Sequence, residues 1–256
     1  MNRLNDKVCI VTGGAAGLGE ATSRLFAEEG AQVVVVDINQ DDAQRVVGDI
    51  TGSGGKAISF QGDVADEQAV KAALDATVEF GGRVDVLVNN AAVGGAPYNY
   101  SVTDAPLEDW QRCVDVNLRG PFLFMKHAIP HMIADGKGAI VNVGSISSVV
   151  GLLTQSIYAP TKAAILQLSR QAAIDYARKG IRINCVLPGA MDTPMTREEI
   201  AAAGSQEVVE KELELLPMGR IADPREVAFA ILFLASDEAS FITGTALTVD
   251  GGYTAQ

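Results

Sequence analysis

A chain of 256 residues with 48% hydrophobic and 20% charged residues can bury one sizeable core, and no repeat, low-complexity tract or Pro/Gly-rich linker divides it. Its net charge of −12 repels phosphate backbones and argues against nucleic acid, although a few backbone amides can still hold a dinucleotide locally. No apolar run approaches the ~20 residues of a membrane span, and Met1 to Lys7 lacks a signal peptide's apolar stretch, so no membrane association and a cytoplasmic location are expected.

Short β-branched runs alternate with amphipathic stretches along the chain. Val8 to Thr12 reads as a first strand and Gly17 to Glu29 as a helix ending at Gly30. Gln32 to Val36 is an apolar second strand of the kind buried on both faces. Helix Asp41–Thr51, strand Ala57–Gln61 and helix Asp66–Phe80 follow, with Asp66 as the N-cap. Strand Val84–Val88 leads to helices over Pro106–Val116 and Leu118–Ala134, then strand Ala139–Val143. A long helix runs from Tyr158 to Arg178 and stops at Gly180. Strand Ile181–Val186, a helical stretch Arg197–Leu216, helix Arg225–Ala235 and strand Ala246–Val249 complete the series. This alternation predicts one α/β domain over residues 1–256, a Rossmann-type, doubly wound parallel sheet of about seven strands with helices on both faces. Ligands of such sheets bind beyond the carboxyl ends of the strands, where Gly13, Asp37, Asp63, Asn89, Ser145 and Pro188 all fall.

The run Thr12-Gly13-Gly14-Ala15-Ala16-Gly17-Leu18-Gly19 joins the first strand to the first helix. Glycines there let the backbone approach a pyrophosphate, and the helix N-terminus supplies amides and a positive dipole end. Asp37 ends the second strand, where a carboxylate accepts hydrogen bonds from an adenosine ribose and repels a 2′-phosphate. Its neighbours Ala16 and Ile38 carry no countercharge, so NAD is expected over NADP. Asp63 is placed to accept from an adenine amino group, or else is an ordinary acid before a helix. Tyr158 and Lys162 share a helix face; an ammonium beside a phenol stabilises the phenolate, and the expectation is a lowered tyrosine pKa and a general base. Cys9, Cys113 and Cys185 have no metal-ligand spacing and read as small buried residues. His127 and His131 form an i, i+4 pair with no carboxylate close in sequence; no metal is expected.

Together these pieces resemble the classical short-chain dehydrogenases/reductases over essentially the full chain. The matching elements are Thr12-Gly13-x-x-x-Gly17-x-Gly19, Asp63-Val64, Asn89-Asn90-Ala91, Asn117, Ser145, Tyr158-x-x-x-Lys162, Pro188-Gly189 with Thr193, and Asp250-Gly251-Gly252. Two features stand apart: Ala92 replaces the family's usual glycine, and Pro160 lies inside the Tyr-Lys motif, which requires the helix to start just before Tyr158 or to bend there. The resemblance implies Tyr158 as general acid/base, Lys162 on the nicotinamide ribose, Ser145 on the substrate oxygen and Asn117 anchoring a proton-relaying water. It also implies cofactor contacts from Gly13, Ala16, Gly17, Leu18, Gly19, Asp37, Ile38, Asp63, Val64, Asn89 and Ala91, and around the nicotinamide from Pro188, Gly189, Met191 and Thr193.

The expected reaction is hydride exchange between NAD and a neutral, moderately apolar secondary alcohol or ketone, cyclic or hydroxysteroid-like. The family's variable loop maps to about 190–218, where Ile200, Ala201, Leu213, Leu215, Leu216 and Met218 are expected to form an apolar lid. Two other readings are a 3-oxoacyl thioester reductase, against which Asp37 argues, and a non-catalytic NAD-binding sensor, against which the complete Asn117, Ser145, Tyr158 and Lys162 set argues. By the same resemblance the chain is expected to form a homotetramer.

Overall fold

The computed structural model describes residues 2–203 and 214–256. Seven parallel strands form one sheet in the order β3-β2-β1-β4-β5-β6-β7. They are β1 (Val8–Thr12), β2 (Gln32–Asp37), β3 (Lys56–Gln61), β4 (Val86–Asn89), β5 (Gly138–Val143), β6 (Ile181–Pro188) and β7 (Ala246–Val249). Connecting helices are α1 (Gly17–Glu28), α2 (Gln40–Gly52), α3 (Glu67–Gly81), α4 (Leu107–Val114), α5 (Gly120–Ala134), α6 (Tyr158–Tyr176), α7 (Pro194–Ala203) and α8 (Pro224–Ala235).

The period-2 geometry of a strand divides each apolar run between two cores. Cys9, Val11, Val33, Val35, Val88 and Val141 pack with Phe26 of α1, Val46 of α2 and Ile231 of α8. Ile10, Val34, Val36, Leu87 and Ile140 face the other way, against Leu74 of α3, Phe124 of α5 and Ile165 of α6. Because the connection direction reverses between β1 and β4, their carboxyl ends open a crevice.

Boundaries differ from the sequence reading in instructive places. Asp66 caps α3 as expected, its side chain accepting from Gln68 N–H, and Gly180 closes the α6 region in the left-handed conformation. The fourth strand begins at Val86 rather than Val84. The two helices expected over 106–134 are joined without a break by a π-helical turn, Asp115–Arg119, which contains Asn117. The helix expected from Arg197 starts earlier, at Pro194, because Pro is suited to a first turn; its continuation over 204–213, with Leu213, lies outside the described residues.

One polar chain crosses the apolar layer under α5 and α6. Asn89 Nδ2 donates to Asn142 Oδ1 at 2.8 Å, Asn142 Nδ2 to Ser169 Oγ at 2.8 Å, and Ser169 Oγ to the Ile165 carbonyl at 2.7 Å. Asn89 and Asn142 are direct partners in the β4–β5 register.

Ile10 sits on β1, an interior strand, with no exposed surface. Ile10→Ala is expected to lower the unfolding free energy by about 2–5 kcal/mol through lost burial and a residual cavity, read as a shifted urea midpoint at constant slope.

Candidate active site

The cofactor side is built from backbone. A Cβ at Gly13 would stand 2.8 Å from Ala91 Cα, and one at Gly19 only 1.9 Å from the Gly13 carbonyl oxygen, so only glycine lets the loop fold onto itself and onto the end of β4. Asn90 pins the turn: its Nδ2 donates to the carbonyls of Thr12 and Gly13, both at 3.0 Å, while Thr12 Oγ1 accepts from the N–H groups of Asn90 and Ala91. Helix α1 has Ala16 at its N-cap with no side-chain cap, which leaves its first amides for an anion. These features fit a dinucleotide pyrophosphate. The Leu18 side chain packs into the core, while its backbone N–H lies in the uncapped first turn of α1.

Asp37 is aimed over this loop, accepting from Ala15 N–H at 3.1 Å and Asn39 N–H at 3.0 Å. Ala16 and Ile38 beside it are exposed and uncharged. Arg45 reaches the Ala15 carbonyl at 3.1 Å, but its guanidinium is paired with Glu20 at 2.8 Å. Asp63 accepts from Ala65 N–H and pairs with Arg112 at 2.9 Å, a partner 49 residues away; these contacts hold its carboxyl below the usual aspartate value against the cost of burial. Val64 is buried against the helical layer, and Asn89 is committed to Asn142, so both support the adenosine side from within the core.

The reacting side assembles at the ends of β5 and β6. Ile157 is the N-cap of α6 and Tyr158 its first residue, so Pro160 falls in the first turn and the helix does not bend. Lys162, only 3% exposed, donates from Nζ to the Val143 carbonyl at 2.8 Å and lies 5.5 Å from the Tyr158 ring centroid. Ser145 Oγ accepts from Ser147 N–H and from Ser147 Oγ, which holds it beside the phenol. Ser148 Oγ donates to the Lys162 carbonyl at 2.7 Å and ties this turn to α6.

The expected lowering of the tyrosine pKa is not what the protein alone achieves. Burial pushes the Tyr158 phenol above its ordinary value, against the lowering contact with Ser145, and pushes the Lys162 ammonium down to about 8. The Lys162 ammonium is bonded to the Val143 carbonyl and does not offset this burial.

Asn117 is drawn into structure more than expected. Its Oδ1 accepts from Val93 N–H at 2.8 Å, and its Nδ2 donates to the Val93 carbonyl at 2.8 Å and to Thr161 Oγ1 at 3.2 Å. Thr193 packs against the glycine loop, within 3.3 Å of where a Gly17 Cβ would stand; Gly189 and Met191 are tied by backbone bonds to Val249 and bridging to Ala222. Pro188 ends β6 beside them.

The substrate side holds close contacts that the sequence does not show. Gly94 lies flush on the Tyr158 ring, where a Cβ would stand 2.7 Å from Cδ2. Gly95, at φ +81° and ψ −165°, is in a region essentially open to glycine alone and meets Met195 and Glu199 of α7. In the expected lid, Leu216 is buried, whereas Ala201, Leu215 and Met218 are exposed. Glu199 sits in a charged run, Arg197-Glu198-Glu199, that reads in sequence as a solvated helix face; only the tertiary approach of α7 reveals it. Among the described residues no three His, Cys, Asp or Glu side chains group as metal ligands, and no helix is long and apolar enough to cross a membrane; His127 pairs with Glu67 at 2.8 Å.

Comparison with known proteins agrees with this geometry. Residues 13–254 match a family model described as enoyl-(acyl carrier protein) reductase. The chain is 45% identical to the cis-4-hydroxycyclohexanecarboxylate dehydrogenase of Sinomonas cyclohexanicum, over 98% of this chain and 97% of that protein. It is 40% identical to the cyclohexanol dehydrogenase of Acinetobacter sp. (strain SE19), over 100% and 98%. The crystal structure of levodione reductase superposes with a TM-score of 0.94 at 33% identity, covering 98% of this chain and 99% of that one. With its glycine loop, Ser145, Tyr158 and Lys162 gathered at the carboxyl end of the sheet, the chain belongs to the short-chain dehydrogenase/reductase family.

Proposed function

We propose that the protein is an NAD-dependent dehydrogenase that interconverts a neutral, moderately apolar cyclic secondary alcohol, hydroxysteroid-like at the larger end, with its ketone. The observation that carries this reading is the meeting of Ser145, Tyr158 and Lys162 at the carboxyl end of β5, the end of the sheet at which the uncapped α1 also begins. The two cyclohexane-acting relatives favour a cyclic substrate.

When bound, the nicotinamide supplies the hydride acceptor at its C4 carbon. Gly13, Ala16, Gly17, Leu18, Gly19, Asp37 and Ile38 would hold the adenosine and pyrophosphate, with Asp63, Val64, Asn89 and Ala91 bordering the adenine end. Pro188, Gly189, Met191 and Thr193 would border the nicotinamide, and Lys162 its ribose. In oxidation, Tyr158 takes the hydroxyl proton while the carbinol C–H leaves as hydride and the carbon–oxygen double bond forms. Ser145 and Tyr158 hydroxyls meet the charge that gathers on the substrate oxygen. Asn117 ties Val93 to Thr161 through its side-chain N–H groups, and its oxygen acceptors would anchor a proton-relaying water.

The acid–base role is tested by Tyr158→Phe, which is expected to lower turnover about 10²- to 10⁴-fold. Oxidation needs the phenolate, whose pKa burial raises, so wild-type kcat/KM for the alcohol climbs with pH across the neutral and alkaline range; ketone reduction, which needs the phenol, stays level over that range and falls only as the pH nears the raised pKa. Equal slopes in both directions would refute Tyr158 as the base.

The NAD preference rests on Asp37, uncharged Ala16 and Ile38, and the pairing of Arg45 with Glu20. Asp37→Ser is expected to reduce the kcat/KM ratio of NAD over NADP by about 10- to 100-fold, from lost charge-assisted hydrogen bonds to the ribose. The family model's description favours one second reading, an acyl-thioester reductase; including a 3-oxoacyl thioester with NADPH in the assay separates the two.

We further propose a homotetramer acting in the cytoplasm. Phe122 and Ile174 leave apolar surface on the outer faces of α5 and α6, and Phe241 is fully exposed before β7. Light scattering is expected to show four chains per particle, and a monomer would refute the assembly.

A further inference from the structure

Ser145, Ser147 and Ser148 follow β5 in one tight turn, and their hydroxyl protons can be assigned one by one. Ser148 Oγ gives its proton to the Lys162 carbonyl at 2.7 Å and accepts from Ser145 N–H at 3.2 Å. Ser147 Oγ gives its proton to Ser145 Oγ at 2.8 Å, and Ser147 N–H reaches the same oxygen at 3.2 Å. A serine hydroxyl has two acceptor lone pairs and one proton. Ser147 therefore fills both lone pairs of Ser145. Of the three hydroxyl protons, that of Ser145 is the one left for the reacting groups. Ser147 is buried, so water does not compete for its hydroxyl.

We propose, building on the dehydrogenase reading, that Ser147 is a positioning residue: it commits the Ser145 hydroxyl to donate, so that Ser145 serves the anionic forms of the reacting oxygens and cannot accept a proton from Tyr158.

The arrangement has chemical consequences. A hydroxyl that can only donate favours the charged form of whatever it meets. Ser145 accordingly acts on the Tyr158 phenol in the lowering direction, and it meets the charge on the substrate oxygen in the same way. The proton of a neutral phenol finds no acceptor at Ser145 and is left for the oxygen of a ketone. A hydroxyl that accepts two bonds is also a stronger donor, because hydrogen bonds in a chain polarise one another. The Ser147 N–H bond alone would close the turn, as serine side chains commonly do. The second bond, from a buried hydroxyl to the same oxygen, acts on Ser145 itself.

The test is the pH profile of kcat/KM for alcohol oxidation, using the best substrate from a panel of cyclic secondary alcohols. Ser147→Ala frees one lone pair of Ser145 for the phenol proton. The rising limb is expected to move up by about half a pH unit to one unit, about a three- to tenfold loss on the limb, the scale of one hydrogen bond. Ser147→Thr keeps the hydroxyl and is expected to restore the limb. In a Ser145→Ala background the Ser147→Ala loss is expected to vanish, because it acts through Ser145. Lys162 on α6, Glu199 on α7 and Cys113 on α4, the charged and titratable groups around the phenol, are common to all these variants. Melting temperature and NAD affinity, measured in parallel, identify a variant that is merely less stable. Where Ser145→Ala is too slow to follow, the Ser147→Ala shift and its rescue by threonine decide alone. An unmoved limb in Ser147→Ala, an equal shift in a stably folded Ser147→Thr, or a loss that persists undiminished without Ser145 would overturn the proposal and leave the dehydrogenase reading intact. No turnover of any alcohol by the wild type would overturn both.

Discussion

A buried ammonium is the constraint around which this site is organised. A charge taken out of water needs a partner, and Lys162 finds it in the Val143 carbonyl at the carboxyl end of β5. That bond can form only if α6 is docked on β5 and β6 with its first turn over the strand ends. Pro160 sets the helix start, which fixes Tyr158 one turn before Lys162, and the Ser148 bond to the Lys162 carbonyl brings the turn carrying Ser145 to the same place. Three side chains from two segments are thus located by one desolvated charge and its backbone contacts.

Backbone, more than side chains, shapes the rest of the crevice. On the cofactor side, Gly13, Gly17 and Gly19 let main chain meet main chain, and Asn90 holds the turn by its carbonyls. On the substrate side, Gly94 and Gly95 do the equivalent between the phenol and α7. Bare backbone is rigid and offers no rotamers, so distances across both contacts are set by the fold and change little with side-chain motion.

The strands were readable because both their faces are buried: runs such as Val33 to Val36 have no polar alternation to confuse them. The glycine loop and the Tyr158–Lys162 pair were readable because their logic is local, a turn and a single helical repeat. What escaped the reading depends on distant partners. Arg112 reaches Asp63 across 49 residues and Asn117 reaches Val93 across 24. The π-turn at Asp115–Arg119 has no composition of its own, and β4 starts at Val86 although Val84 and Asp85 are buried ahead of it and Asp85 is already bonded through its backbone to Val8 and Ala139. The direction of the Tyr158 shift was misjudged for a related reason: sequence spacing shows the neighbouring charge but not the depth of burial that opposes it.

The amide chain from Asn89 through Asn142 to Ser169 has a consequence for how the sheet assembles. Side chains alternate faces along a strand, so sliding β5 by one residue against β4 would turn Asn142 toward the opposite, wholly apolar core. Asn89 and Ser169 would then lose their partner inside an apolar layer, at a cost of about 1–3 kcal/mol for each stranded group. The trio therefore works as an alignment key, penalising neighbouring arrangements of otherwise interchangeable valines and isoleucines. Its position, on the two strands whose ends carry Ala91 and Ser145, means that a mis-seated sheet would also be a mis-seated active site.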